Sequence, residues 1–122
     1  MRWGSGDVQF ARPIHWLVLM YGNQLVNTSF FGKESSKRTY GHRFHASKSY
    51  QIESADTYVR QMQENYVIVD ASIRKEMISS QLEIISQNYR ANVIIDEDLL
   101  AEVNALVEYP NALCCEFPKS FL

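Results

Sequence analysis

The sequence predicts an α+β fold, a two-layer domain with a mainly antiparallel or mixed sheet and about three helices. Three observations predict it. The first half holds runs rich in β-branched and aromatic residues, "IHWLVLMYG", "QLVNTSFFG" and "RTYGHRFHA". The second half holds apolar residues at helical spacing behind Asp caps. The length of 122 residues with 46% hydrophobic content suits one modest core, so residues 1–122 are read as a single domain.

The first run stops at Gly22-Asn23, a turn signal, and "QLVNTSFFG" follows at hairpin distance, ending at Gly32. The polar "KESSK" reads as a loop. "RTYGHRFHA" reads as a strand with Tyr40, His42 and Phe44 on one face and Thr39, Gly41, Arg43 and His45 on the other. "SYQI" extends it or forms another short strand. Ser54 or Asp56 caps the helix "ADTYVRQMQEN", whose stripe is Tyr58 and Met62 with Ala55. "YVIV" reads as a short buried strand. Asp70 caps "ASIRKEMISSQLEIISQNY", with Ile73, Met77, Ile78, Leu82, Ile84 and Ile85 inward. "ANVII" is a brief extended segment. Asp96 caps "EDLLAEVNALVEY", which buries Leu99, Leu100, Val103, Leu106 and Val107 and stops at Pro110. "ALCCEF" reads as a final strand.

Composition excludes several classes. No apolar run approaches the roughly 20 residues of a membrane span, so no membrane contact is predicted. Cys114 and Cys115 are adjacent; on a strand they point to opposite faces, one buried and one half-exposed, and read as reduced thiols of a cytoplasmic protein. Charge is unevenly spread. Residues 1–49 carry seven Lys/Arg against two Asp/Glu, and residues 50–122 carry five against twelve. Such asymmetry can place a local positive field on a near-neutral domain.

The stretch around His42 and His45 carries the candidate chemistry. A zinc site would need further ligands from His15, Cys114 or a carboxylate, and the convergent Cys/His pairs typical of zinc are missing. No frame for an activated nucleophile surrounds these histidines, and "RWGSGD" leads into strand-like sequence rather than a phosphate-cradling helix. Neither a catalytic nor a metal site is predicted. Two readings stay open for Arg43 and its neighbours: contact with an RNA backbone, or a structural role on a solvated strand face or in an internal ion pair. His15, on an apolar run, is expected in the core.

The runs "MRWGSGDVQFARPIHWLVLMYG", "YGHRFH" and "LLAEVNALVEYPNALCCEFPKSFL" together resemble the β subunit of the bacterial α2β2 glycyl-tRNA synthetase. Arg2, Trp3, Gly4, Asp7, Phe10, Arg12, Pro13 and His15 match the family's first motif, Gly41, His42, Arg43 and Phe44 its second, and Glu102, Val103, Leu106, Val107, Glu108 and Pro110 its third. Tyr40 stands where that family usually has Arg, and Arg90-Ala91 where a Gly-Gly pair is common, so that turn is expected to take another backbone shape. The resemblance implies an internal piece of a longer subunit, in a position similar to the B3/B4-type domain of phenylalanyl-tRNA synthetase. It implies a glycine–tRNA ligase whose full assembly uses ATP and Mg. The glycine and ATP site would lie on the α subunit, and this piece, inactive alone and holding no cofactor, would support tRNA(Gly) binding or subunit architecture in the cytoplasm. An editing-type aminoacyl-tRNA hydrolase and a purely structural packing module are the alternatives. Arg12, His15, Arg38, His42 and Arg43 are the candidate polar cluster, either facing RNA phosphates or tying strands together.

Overall fold

The computed structural model describes residues 4–7, 9 and 12–118. The chain divides into two compact units, residues 1–66 and residues 67–122. The α+β class holds: among the described residues small mixed and antiparallel sheets occupy the first unit, and three α-helices are shared between the two.

In the first unit the run at residues 14–22 forms two short strands, β1 (Leu17–Val18) and β2 (Met20–Tyr21). β2 pairs antiparallel with β3 (Gln24–Leu25) across the predicted turn, where Gly22 takes the positive φ of +59° that the tight loop requires. β4 (Ser29–Phe30) turns through Phe31 and Gly32, both at positive φ, into β5 (Lys33–Ser36). β5 is the "KESSK" segment expected to be a loop. It is instead the middle strand of a three-stranded mixed sheet, antiparallel to β4 and parallel to β1. Its polar side chains fit because they bond locally: Ser35 Oγ accepts from Thr28 N–H at 2.9 Å and donates to Val26 C=O at 2.7 Å.

β6 (Arg38–Tyr40) pairs antiparallel with β7 (Ser49–Gln51), as the sequence suggests for "SYQI". The strand ends at Tyr40, however, and Arg43, Phe44 and His45 lie in a turn, so the predicted alternation of faces does not extend to them. A 3₁₀ turn (Ala55–Thr57) leads into α1 (Tyr58–Glu64). The core of this unit centres on Ile52 and Met62. Gln61 ties α1 to the chain around β7: its amide accepts from Glu53 N–H (3.0 Å) and donates to Gln51 C=O (3.1 Å). Thr39, a buried polar residue, accepts a hydrogen bond from the Trp16 indole at 3.2 Å.

In the second unit α2 (Ala71–Tyr89) and α3 (Glu97–Leu106) begin where their caps predict. Asp70 accepts from Ser72 and Ile73 N–H, and Asp96 from Asp98 and Leu99 N–H, so each satisfies two donors that a helix start leaves unpaired. Arg74 holds the unit together: one guanidinium nitrogen donates to Ile68 and Val69 C=O (2.6 and 2.9 Å) and another to Asn104 C=O (3.3 Å).

Several expectations fail here. "YVIV", "ANVII" and "ALCCEF" lie in no strand. α3 ends at Leu106 rather than near Pro110, because the chain turns extended at Val107 and the Glu108 carbonyl accepts from Ile68 N–H at 2.8 Å. Of the apolar residues assigned to the buried helix faces, Ile78 and Leu100 are buried, whereas Ile73, Ile84, Leu99, Val103 and Leu106 are exposed. Arg90 takes the left-handed shape that glycine favours, with φ +48° and ψ +41°. Cys114 and Cys115 are both exposed. No helix among the described residues is long and apolar enough to cross a membrane.

Candidate nucleic-acid interface

The site is built where β6 gives way to a tight turn. Gly41 lies so close to the end of α1 that an added Cβ would stand 2.5 Å from Asn65 O and 2.6 Å from Asn65 Cβ. That approach lets His42 N–H donate to Asn65 C=O at 2.9 Å. His42 then acts as the cap of a single helical turn. Its Nδ1 accepts from the Phe44 and His45 N–H groups, each at 3.3 Å, and its carbonyl accepts from Ala46 N–H at 2.8 Å. Nδ1 therefore serves as the acceptor of this cap.

The capped turn projects Arg43, Phe44 and His45 into solvent. Phe44 is 82% exposed. The Arg43 guanidinium carbon lies 5.8 Å from the centre of the Phe44 ring. The His42 and His45 rings are 4.6 Å apart, and Tyr66 stands 5.2 Å beyond His45. The strand geometry that would point the two imidazoles apart does not apply, because both belong to the turn. Beside it, an open recess of about 320 Å³ is lined by His45, Ala46, Ser47, Lys48 and Asn65.

Charge in this region has one sign. Residues 35–52 contain four Lys/Arg and no Asp/Glu. Lys37 is occupied, its ammonium donating to Asn23 C=O at 2.5 Å. Arg43 makes no ion pair within 4.0 Å among the described residues, where the pairs are Arg60–Glu64 and Lys75–Glu97. The internal pairing considered for Arg43 is thus absent among the described residues.

The five candidate residues are not brought into one bonded cluster: among the described residues no hydrogen bond or ion pair joins any two of them. His42 and Arg43 share the turn. Arg38 is exposed on β6. Arg12 is exposed, and so is His15, contrary to its expected place in the core; its ring lies 6.4 Å from Trp16, which packs on Tyr40 at 4.7 Å. Arg2, Trp3 and Phe10 of the first motif lie outside the described residues. The sequence reading missed Asn65 and Tyr66, which sit twenty or more residues away in the chain and carry no local signal of their role. Among the described residues no group of three or more His, Cys, Asp or Glu gathers as a metal site would require.

Comparison with known proteins places the chain in a family. The profile described as glycyl-tRNA synthetase beta subunit matches residues 1–122. The chain is 44% identical over its whole length to the glycine–tRNA ligase beta subunit of Bacillus subtilis, 43% to that of Lactobacillus delbrueckii subsp. bulgaricus and 42% to that of Chromohalobacter salexigens. It spans 18% of the length of each of these relatives. The chain belongs to the glycyl-tRNA synthetase beta subunit family.

Proposed function

We propose that this chain serves the ATP-dependent ligation of glycine to tRNA(Gly) by contacting the RNA, with catalysis carried out by a partner α subunit in an α2β2 assembly. The turn at residues 42–45 is the contact point. The observation that carries this reading is Arg43: an exposed guanidinium with no carboxylate partner among the described residues, in a stretch of chain without acidic residues. A guanidinium offers a planar fork of donors that matches a phosphate. Arg12, His15 and Arg38, all exposed, are available to add to the basic surface.

The test is a salt titration of tRNA binding by the protein, wild type against Arg43→Ala. Neutralising a phosphate releases counterions, so affinity falls steeply with salt, and losing one contact reduces the log–log slope by about 1. An unchanged slope in the variant removes Arg43 from the contact.

A structural packing role is the second reading, favoured by the second unit. A cavity of about 280 Å³ there is lined by Ile78, Leu82, Ile94, Leu99, Leu100 and Val103 among others, and Ile94 is 94% exposed. Apolar surface of this kind is usual where another part of an assembly packs.

A further inference from the structure

We infer that the turn at residues 42–45 is a stacking platform for an unpaired RNA base, with Phe44 as the ring on which the base lies. This rests on the RNA-contact reading above and specifies which part of the RNA the turn takes: single-stranded nucleotides rather than duplex.

Four observations converge on it. Phe44 is 82% exposed, so its ring buries little against the protein and offers its surface to a ligand. Its backbone is nevertheless fixed, because the Phe44 N–H is held by the His42 ring and the turn is closed by the His42 carbonyl. A ring presented on a pre-ordered backbone loses less freedom when it binds than one on a mobile loop. The Arg43 guanidinium lies over one side of that ring, its carbon 5.8 Å from the centre, placing a phosphate-binding cation against the stacking surface. The His42, His45 and Tyr66 rings continue the aromatic surface away from it, and Lys48 lines the recess alongside.

This pairing of rings and cations is the arrangement by which proteins hold single strands: the bases stack on aromatic side chains while basic groups track the backbone. Duplex RNA does not fit it, since its bases are already stacked on one another and its edges lie within grooves. An acidic peptide would use Arg43 and Lys48 but would leave the Phe44 face without a planar partner. The opposite charge around residues 35–52 and the flat ring together select a polyanion that carries aromatic bases.

The experiment measures binding of a fluorescent single-stranded RNA octamer, and of the same strand annealed into a duplex, to the protein and to three variants. Wild type should prefer the single strand. Phe44→Ala should weaken single-strand binding by about 5- to 150-fold, the range that loss of one stacked base produces, with little effect on the duplex. Phe44→Tyr keeps a ring and should bind nearly as wild type. Arg43→Ala should weaken both RNAs and lower the salt dependence. Equal binding of single strand and duplex by wild type, or unchanged single-strand affinity in Phe44→Ala, overturns the stacking platform. If Arg43→Ala still lowers the salt slope while Phe44→Ala has no effect, the platform falls and the RNA contact stands. If wild type binds neither RNA nor tRNA, both fall.

Discussion

Replacing Gly41 by alanine should unfold the turn that presents Arg43 and Phe44. The added methyl would meet Asn65 O at 2.5 Å, Asn65 Cβ at 2.6 Å and Ala46 Cβ at 3.0 Å. The first of these is a backbone atom, and Asn65 is poorly placed to retreat. Its N–H donates to Met62 C=O at 3.0 Å, its side-chain amide donates to Gln61 C=O at 2.8 Å, and its carbonyl accepts from His42 N–H at 2.9 Å. Relief therefore requires moving β6 away from α1, which breaks the His42–Asn65 bond. Overpacking of this kind costs about 1–3 kcal/mol, and the lost hydrogen bond about 1 kcal/mol more. The sum is about 2–4 kcal/mol, a large share of the stability of a small unit. Urea unfolding followed by tryptophan fluorescence reports on it, because Trp16 is bonded to Thr39 within β6. The midpoint should fall with little change in slope. A loss below about 0.5 kcal/mol, within the range of an ordinary surface substitution, would refute the claim that close backbone approach is why glycine stands here.

Two further perturbations test other parts of the fold. Arg90→Gly should stabilise the protein by about 0.5–1 kcal/mol in a thermal melt, since relief of the left-handed conformation, about 1–2 kcal/mol, exceeds the added chain entropy of glycine; a lower melting temperature would argue against strain at Arg90. Tyr50, whose hydroxyl donates to Met62 Sδ at 2.9 Å, has its pKa raised above 10.0, first by burial and then by Tyr58. The folded state thus holds this proton more tightly than the unfolded chain, so the contribution is intact below about pH 10 and is lost as pH climbs through the raised value. Tyr50→Phe should flatten the alkaline loss of stability seen by circular dichroism, and an identical alkaline profile would exclude Tyr50 as its source.

Features set by neighbouring residues were legible in the sequence. Asp70 and Asp96 cap helices through the N–H groups two and three residues further on, and the β2–β3 turn is set by Gly22 and its neighbours. Features set by distant partners were not. β5 is a strand because β1 and β4 flank it, with Leu17 and Val18 opposite Ser35 and Ser36, and nothing within "KESSK" reveals that. The converse error has the same origin. The runs at residues 66–69, 91–95 and 112–117 have strand-like composition, yet composition makes no strand without a neighbour to bond. The candidate site divides the same way. Gly41, His42, Arg43 and Phe44 are contiguous and stand out as a motif, whereas Asn65, which explains the glycine, is brought in by the packing of α1.

The two adjacent thiols near residue 114 have a practical bearing. With both sulfurs open to solvent, two molecules colliding in aerated buffer can join through them, and neighbouring residues on one chain are poorly disposed to close on each other first. Covalent dimers and higher ladders on gels run without reductant would then report on storage rather than on the native assembly. Serine at both positions, or a thiol kept in every buffer, would separate that artefact from true association.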